Sequence, residues 1–379
     1  MKQINLLFSL FILLLLSCST DSKREGTKEY SLLQVADKMF YLDSLTTQES
    51  LYMQVVDDKE LALYNEPDHS IRFYDIPTAK EFAKIQLYKE GPNATKDMRG
   101  FYYQSKNDIW IYQYFTKELL LVNDLGEIKA RRDISKKLYP HAKKDITVSP
   151  FPITNMPIQK YNDWLILQGM NGIGVENGIK PACTILYNTV TDEVKTVNYY
   201  PSIYGDMKNI NNNWGTFSYR AVPYTLTPQN EMILSYPADD SIRIYNIDKD
   251  YTESYFAGYT IKTKIKPIIG NSTIALEKQY LEQLQYAGIH YDKYNKVYYR
   301  LAVLPISDYN INDVKTQNKP LAIIILNHEF KKVGEYHLGK GKYRHRNTFV
   351  SEEGLHINVL SEDDDYLKFV TLKIIKNEN

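Results

Sequence analysis

The sequence is poor in cysteine and carries no net charge. Its 379 residues include two cysteines, and 46 basic residues balance 46 acidic ones. Proteins that bind nucleic acids usually carry a basic excess, so the charge balance argues against a nucleic-acid partner. If Cys18 belongs to an N-terminal signal, Cys183 is a lone thiol and forms no intramolecular disulfide. Cys183 lies in the apolar stretch ACTILYN, where we expect a small buried core residue.

Local motifs for catalysis and for cofactor binding are also missing. The seven histidines show neither the H-x-x-x-H nor the H-E-x-x-H spacing of a metal site. There is no G-x-S-x-G nucleophile elbow. The glycine-rich residues 168–178, QGMNGIGVENG, do not fit the G-x-G-x-x-G dinucleotide fingerprint. The sequence therefore predicts no metal and no cofactor, although an active site assembled from several parts of the chain needs no local motif.

A long apolar run opens the chain, MKQINLLFSLFILLLLSC. Lys2 precedes the apolar residues 6–16, a run too short to span a bilayer well and typical of a signal peptide. The end of the run, Leu-Leu-Ser-Cys, resembles a bacterial lipobox, in which the peptide is removed before the cysteine and the cysteine is lipidated. A plain signal peptide with an incidental Cys18 is the alternative.

These features predict three segments. Residues 1–17 are expected to be a lipoprotein signal peptide, residues 18–28 a lipidated Cys18 with a flexible polar tether, and residues 29–379 the folded domain. Ser19 does not give an inner-membrane retention signal of the Asp type, so we expect the outer membrane. Whether the folded domain faces the periplasm or the cell surface stays open.

One strand pattern recurs along the chain. HSIRFYDI at residues 69–76 returns as DSIRIYNI at residues 240–247. Comparable apolar strands run into a polar residue that starts a turn. These strand ends are Asp75, Asn123, Asn188, Asn246, Asn327 and Thr371. Each has candidate strands before it, and all but the last have one after it. Because four antiparallel strands make one propeller blade, the repeat predicts an all-β fold, a six-bladed β-propeller, with seven blades as the alternative.

The sixth repeat lacks a fourth strand before the chain ends. We expect the apolar segment EYSLLQVA, residues 29–36, to supply it and so to close the last blade, because an open ring leaves free strand edges. Helical periodicity is nearly absent. Residues 272–288 are the exception and predict a short helix inside a loop.

The lipobox, the repeated strand ends in Tyr followed by Asp or Asn, and the segment Glu90–Asn93 together resemble a known family. They are similar to uncharacterised Bacteroidota β-propeller lipoproteins of the DUF4221-like, six-bladed type. The resemblance covers most of residues 29–375 and implies the propeller fold and an envelope location. Its motifs are structural, so it implies no catalytic residues.

Loop lengths indicate where a ligand would bind. In a propeller, the turns from first to second and from third to fourth strand lie on one face, and the remaining connections lie on the other. The second set is much longer here, and loops on a rigid scaffold are where binding residues concentrate. We call the face that carries these connections the long-loop face and expect the binding site there.

Basic and aromatic residues in these loops are the candidate ligand contacts. The stretch GKGKYRHR at residues 339–346 is expected to be a basic loop, and arginine forks bind carboxylate or phosphate at two points. Two further arginines precede inner strands and are expected to converge on the central channel, and a tryptophan among asparagines suits sugar stacking. The candidates are Arg99, Trp214, Arg220, Tyr343, Arg344, His345 and Arg346. A solvated charged loop and a tryptophan that plugs the base of its loop are the alternatives.

Two functions fit these observations. The first is a monomeric binding or scaffold lipoprotein, anchored in the outer membrane through Cys18, that holds an envelope protein or a glycan on its long-loop face. The second is a glycan-active enzyme of the polysaccharide lyase or glycosidase type, with its acid and base at the channel mouth. A purely structural or sensory role comes third. The missing catalytic motifs favour the first function, and the fold alone does not choose between them.

Overall fold

The protein is built almost entirely from β-strands. The computed structural model describes residues 29–138, 148–170, 181–207, 209–215, 217–261 and 263–377. These residues form six separate antiparallel sheets of four or five strands. The predicted all-β, six-bladed β-propeller is therefore confirmed. The predicted signal peptide, Cys18 and the tether lie outside the described residues.

The strands are numbered along the chain. Two short strands come first, β1 (Tyr30–Gln34) and β2 (Lys38–Tyr41). Blade one holds β3 (Met53–Val56), β4 (Glu60–Asn65), β5 (Ser70–Asp75) and β6 (Lys80–Gln86); blade two holds β7 (Met98–Ser105), β8 (Asp108–Gln113), β9 (Glu118–Val122) and β10 (Ile128–Asp133); blade three holds β11 (Ser149–Pro150), β12 (Gln159–Tyr161), β13 (Trp164–Met170), β14 (Ala182–Asn188) and β15 (Val194–Tyr199).

The last three blades follow the same order. Blade four holds β16 (Tyr224–Leu226), β17 (Glu231–Ser235), β18 (Ser241–Asn246) and β19 (Tyr251–Phe256); blade five holds β20 (Gln285–Asp292), β21 (Val297–Val303), β22 (Pro320–Leu326) and β23 (Lys332–Lys340); blade six holds β24 (Tyr343–Ser351), β25 (Gly354–Val359) and β26 (Tyr366–Lys376). The described helices are α1 (Ser135–Leu138), α2 (Thr273–Glu282) and the 3-10 turns Ser202–Tyr204, Ile210–Asn212 and Val314–Thr316.

Both N-terminal strands pair with the long strand β26. Strand β1 runs antiparallel to its C-terminal half, with Tyr30 opposite Lys376 and Gln34 opposite Leu372. Strand β2 pairs with its N-terminal half, with Lys38 opposite Phe369. The sheet of blade six therefore has the order β1-β26-β25-β24, with β2 alongside β26.

The core lies between neighbouring blades. Apolar clusters join blades one and two, two and three, three to five, five and six, and six and one. The second and third strands of a blade are covered on both faces, so β21 and β14 are buried at every residue. This explains why strands such as IIIL in β22 read as continuous apolar runs rather than alternating ones.

The predicted small elements are confirmed where the structure describes them. Helix α2 lies in the connection between blades four and five, and the side chain of Ser272 accepts a hydrogen bond from the Ala275 backbone N–H as its N-cap. Cys183 in β14 is fully buried and its Sγ donates to the Asn198 carbonyl oxygen at 3.1 Å. Burial raises the pKa of this thiol to about 11, which makes it unreactive at neutral pH.

The repeated stretch forms β5 and β18 and repeats an ion pair as well as a strand. In blade one, Arg72 Nη2 lies 2.7 Å from Asp68 Oδ2. In blade four, Arg243 Nη2 lies 3.1 Å from Asp239 Oδ2. In both blades the carboxylate stands four residues before the arginine, so the same charge pair ties the start of the third strand to the connection that leads into it.

The pair in blade one is more deeply embedded. Arg72 is 1% exposed, and its Nη1 also contacts Asp43 Oδ2 at 2.8 Å and Glu81 Oε2 at 2.9 Å. Burial alone would raise the pKa of Asp68, but hydrogen bonds from Ser70, Arg72 and Asn65 together hold it below its usual value. The folded state therefore favours the charged carboxylate.

Arg72→Met should lower the free energy of unfolding by about 3 kcal/mol at pH 7, because it leaves the Asp68 charge with only the more exposed Lys84, 3.7 Å away. A lowered carboxyl pKa contributes stability above the unfolded value of about 3.9, and this stability is lost as the pH falls through the folded pKa. Wild-type protein should therefore lose more stability between about pH 5 and pH 2 than the variant does. Denaturant unfolding followed by circular dichroism measures both effects.

Arg243→Met is the matched control, since it removes the repeated arginine from a half-buried position with one carboxylate partner. Its loss should be clearly smaller, about 1 kcal/mol or less. Equal losses of stability in the two variants, or an unchanged pH dependence in Arg72→Met, would contradict the stabilising role assigned to the Arg72 ion pairs.

Candidate functional site

The two faces of the propeller differ in loop length as the sequence predicts. Between first and second strands and between third and fourth strands, no described turn exceeds five residues. The other set holds long connections at residues 87–97, 200–223, 257–284 and 304–319, but also four short ones at residues 66–69, 114–117, 236–240 and 341–342. Residues 139–147 and 171–180, which belong to two further connections, lie outside the described residues.

Arg99 lies at the start of inner strand β7, at the long-loop end of the channel. Its Nη1 donates to the Tyr52 hydroxyl at 3.0 Å. The guanidinium carbon lies 5.5 Å from the ring centroid of Phe151 and 6.0 Å from that of Tyr114. Aromatic side chains from three connections thus surround this cation.

Arg346, in inner strand β24, is joined to Arg99 through two phenylalanines. Its guanidinium carbon lies 4.2 Å above the ring of Phe217. Phe217 and Phe151 meet edge to face with their centroids 5.2 Å apart. Arg99, Phe151, Phe217 and Arg346 therefore form one contiguous group, the arginine–phenylalanine cluster, contributed by residues from four different segments of the chain.

The cluster holds no ion pair with a carboxylate of the described residues. Burial alone would lower the pKa of Arg99, but the Tyr52 hydroxyl and the charge of Glu66 outweigh this effect and raise it. Other arginines, such as Arg72 and Arg344, contact carboxylates, but in the described part of the chain no carboxylate forms an ion pair with Arg99 or Arg346. Burial lowers the pKa of Arg346, which records the cost of holding this cation away from water. The cluster is therefore a cationic surface backed by aromatic rings.

Arg220 lies in the same connection as Phe217. Its backbone N–H donates to the Phe217 carbonyl oxygen at 3.3 Å, and its Nη1 contacts the Gly215 carbonyl oxygen at 3.4 Å. Its own carbonyl oxygen accepts a hydrogen bond from the Tyr200 hydroxyl. Phe151 and Phe217 thus link Arg99 to Arg346, whereas Arg220, also predicted to converge on the channel, is joined to Phe217 through its backbone.

The prediction of a basic loop at residues 339–346 is wrong. Strand β23 ends at Lys340 and β24 begins at Tyr343, so only two residues connect them. The pairing of β24 with β25 shifts register between Arg344 and Thr348, which places Arg344, His345 and Arg346 in an irregular stretch of strand. Strand pairing therefore fixes the backbone of this stretch, although its composition had predicted a loop.

Three candidates on this strand have mainly internal partners. The Tyr343 hydroxyl donates to the Leu338 carbonyl oxygen at 3.1 Å, and Arg344 Nη2 forms an ion pair with Glu49. His345 is half-buried, and burial, with Arg346 and Lys319 nearby, lowers its pKa to about 3. Its imidazole is therefore neutral at ordinary pH.

A cleft of about 350 Å³ opens beside these residues, lined among others by Tyr343, Arg344, His345 and Lys319. Lys319 is buried, and its Nζ donates to the carbonyl oxygens of Tyr280 and Gln283 at the end of α2, the Gln283 contact being 2.8 Å. Carbonyl groups at a helix C-terminus lack internal partners and attract cations. Burial lowers the pKa of Lys319 to about 7, so this lysine holds the helix end rather than offering an exposed charge.

Trp214 is not the exposed aromatic that its asparagine neighbours suggest. Its side chain is 2% exposed and packs against Tyr204 at 4.9 Å between ring centroids. Its indole Nε1 donates to the Tyr204 carbonyl oxygen at 2.9 Å. The alternative reading, a tryptophan that plugs the base of its loop, is the correct one, and its ring is not available to stack on a sugar.

Comparison with known proteins agrees with this architecture. A family model described as a domain of unknown function, DUF4221, matches residues 29–337, most of the chain. The chain belongs to the DUF4221 family. A crystal structure of a DUF4221 member from Bacteroides vulgatus is 23% identical, covers 93% of this chain and 100% of its own, and superposes with a TM-score of 0.78.

A second structure similar to this DUF4221 protein is a putative exported protein from Bacteroides fragilis. It is 9% identical, covers 91% of this chain and 96% of its own, and has a TM-score of 0.59. At these identities both likenesses show the fold alone. No curated protein sequence matches the chain.

The described part of the DUF4221 propeller has neither a metal-binding cluster nor a membrane-spanning helix. Within the described residues, no group of three or more His, Cys, Asp or Glu side chains is arranged to hold a metal ion. None of the helices in the same residues is long and apolar enough to cross a membrane.

Phe151 and Phe217 are the functional candidates that sequence reasoning missed. Phe217 stands three residues after Trp214, the more conspicuous aromatic, and Phe151 lies between two prolines. Neither has a local pattern that marks it, because the cluster forms only when connections from different blades meet. Their position is the one weak indication of these two residues in the sequence, since both fall within the long-loop connections.

Trp214→Ala should lower the free energy of unfolding by about 3–5 kcal/mol, because it removes a buried ring and leaves a cavity. Tyr251→Ala is the control, since that ring is 57% exposed and should cost about 0.5 kcal/mol or less. Chemical unfolding of both variants makes the comparison. Unchanged stability in Trp214→Ala would contradict burial of the ring and would indicate that Trp214 is exposed.

Proposed function

We propose that this DUF4221 protein is a lipid-anchored binding module that holds an anionic group of an envelope protein or glycan at its arginine–phenylalanine cluster. The observation that carries the proposal is the pair Arg99 and Arg346, two half-buried cations joined through Phe151 and Phe217 without a carboxylate partner in the described residues.

The chemistry of the cluster suits a carboxylate or sulfate group. A half-buried guanidinium has lost part of its hydration, and a charge-assisted hydrogen bond to an anion offsets that cost. Phe151 and Phe217 lie against the two guanidinium groups. Arg99 also donates through Nη1 to the Tyr52 hydroxyl, so a ligand would use the remaining N–H groups. An anion at either guanidinium would gain a cationic contact without displacing an internal ion pair.

The geometry gives the glycan-active enzyme no specific support at His345. With its pKa lowered to about 3 by burial and by the neighbouring cations, His345 is not a general acid near neutral pH. The arginines beside it are always charged and serve as ligands for anions rather than as proton donors. Binding is therefore the function that the described residues support.

Membrane attachment rests on the N-terminal sequence. The charged start, the apolar run and the Leu-Leu-Ser-Cys ending support lipidation of Cys18, and Ser19 supports the outer membrane. The polar residues 19–28 would tether the lipid to β1, which begins at Tyr30. Such a tether leaves the long-loop face free to meet a partner in the envelope.

Arg346→Met should weaken binding of an anionic oligosaccharide, such as oligogalacturonate, by about tenfold or more, because it removes a charged hydrogen-bond donor from the cluster. Isothermal titration of wild type and variant, at low and at high salt, measures the effect; wild-type affinity should fall as salt increases.

Arg132→Met is the matched control, since it removes an exposed arginine from outer strand β10. Neutral dextran is the control ligand. Equal affinities of the two variants for oligogalacturonate, or equal binding of dextran, would contradict the proposed site. If oligogalacturonate does not bind at all, a cross-linked pull-down with wild type and Arg346→Met tests an anionic protein partner instead, and capture that Arg346→Met leaves unchanged would overturn the proposal.

We also propose that the pairing of β1 with β26 keeps the ring closed. Leu32 points into the cluster between blades five and six and is 3% exposed, whereas its neighbour Leu33 is 52% exposed. A strand that only lay along the edge would not need to bury a leucine there.

Leu32→Ala should therefore lower the free energy of unfolding by about 2–4 kcal/mol, and the adjacent Leu33→Ala by about 0.5 kcal/mol or less. Urea unfolding of the two variants provides the measurement. Similar small effects in both would mean that β1 does not contribute to closure.

A further inference from the structure

The central channel contains a cavity distinct from the arginine–phenylalanine cluster. Its volume is about 360 Å³, and it lies in the half of the channel nearer the short turns. Every blade contributes a polar residue to its lining. These residues are Gln54, Tyr102, Gln159, Thr225, His290 and Thr348.

The lining carries no formal charge. Apart from the polar residues just named, it consists of apolar, threonine, asparagine and tyrosine side chains, without Asp, Glu, Lys or Arg. Burial lowers the pKa of His290 to about 4, so its imidazole is neutral at pH 7. A charged ligand would lose its hydration here without finding a counter-charge. The cavity therefore favours neutral molecules.

Several lining residues carry buried polar atoms that lack a partner in the described part of the chain. Asn155 Oδ1, Gln159 Oε1 and His290 Nε2 are buried and have no hydrogen-bond partner among the described residues. The Gln54 amide differs, since it donates to the Tyr103 carbonyl oxygen at 2.9 Å and accepts from the Tyr103 N–H at 2.7 Å. Because an unpaired buried polar atom is destabilising, the three unpaired atoms indicate a place for an additional hydrogen-bonding group.

We propose that this cavity binds a neutral, polyhydroxylated molecule the size of a single sugar ring. Hydroxyl groups both donate and accept, so they match a lining of amide oxygens, threonine hydroxyls and a neutral imidazole. Tyr102 and Tyr291 supply aromatic surface against which the C–H face of a sugar ring packs. The volume falls at the lower end of the range for small-molecule sites, about 300–1,000 Å³.

The proposal does not rest on the anionic site. The two sites are neighbours, since Asn155 lines this cavity and also a small pocket beside Arg346 and Phe217. Their chemistry differs, since one is cationic and aromatic and the other neutral and polar, and Gln159 and His290 line only the neutral cavity. Substitutions in one should leave the other unchanged, and this independence makes the two proposals separately testable.

The test titrates the full chain with a panel of neutral probes, glucose, galactose, mannose, N-acetylglucosamine and myo-inositol, up to about 10 mM, and with glucuronate as the charged counterpart. Saturation-transfer NMR detects binding and calorimetry measures affinity. Gln159→Leu and His290→Phe remove the unpaired atoms with little change of volume, and Arg346→Met serves as the control outside the cavity. Thermal unfolding shows which variants are folded, and Thr225→Val replaces any that is not.

We expect at least one neutral probe to bind, to bind better than glucuronate, and to lose about threefold to tenfold in affinity in Gln159→Leu and His290→Phe but not in Arg346→Met. Absence of binding by every neutral probe would overturn the proposal and leave a channel that holds only water. Binding that the cavity substitutions do not weaken, or that Arg346→Met weakens instead, would overturn the assigned location.

Discussion

Apolar packing between neighbouring blades is the interaction on which this propeller depends. Each sheet is covered on both faces, so no blade can bury its second and third strands without a partner on either side. Only a closed ring meets that demand for all blades at once. The contacts between blades six and one, where Phe40, Phe369 and Leu61 share a cluster, are therefore as necessary as those between consecutive blades.

Buried arginines hold in place the connections at the blade ends, which the packing between blades does not fix. Arg72 gathers three carboxylates. Arg300, in the second strand of blade five, lies 3.7 Å from the ring of Tyr286 and donates to Ser235 Oγ and to backbone carbonyl oxygens of blade four, among them Asp240 and Ala257 at 3.0 Å each. Burial lowers the pKa of Arg300 to about 10 without discharging it at neutral pH. These hydrogen bonds hold the connections around each arginine rigidly. The rigid connections in turn support the loops of the other blades.

The same inner strands supply two surfaces of different character. At the long-loop end they present Arg99 and Arg346 on phenylalanine rings, and further along the channel they present amides, hydroxyls and imidazole without charge. The difference follows from position, because a cation near the mouth keeps part of its hydration while one in the middle of the channel would lose it. The two proposed sites, one for an anionic group and one for a neutral small molecule, therefore draw on different side chains.

The third strand of every blade, helix α2 and the buried state of Cys183 could be predicted from the sequence, since these follow from local alternation, turn residues and continuous apolar runs. Six blades were also predicted, but the sequence left seven open, and the six sheets of the described residues settle the number. The sequence also located the long-loop face, because loop length is a property of spacing. The site was predicted only in part. Arg99, Arg220 and Arg346 were recognisable as charges before inner strands, whereas the Phe151–Phe217 bridge, the burial of Trp214 and the strand that replaces the expected basic loop were decided by tertiary structure alone. Whether a ring is exposed depends on which distant segments pack over it, and whether a glycine-rich basic stretch becomes strand depends on the edge available for pairing, so neither is written in the residues nearby.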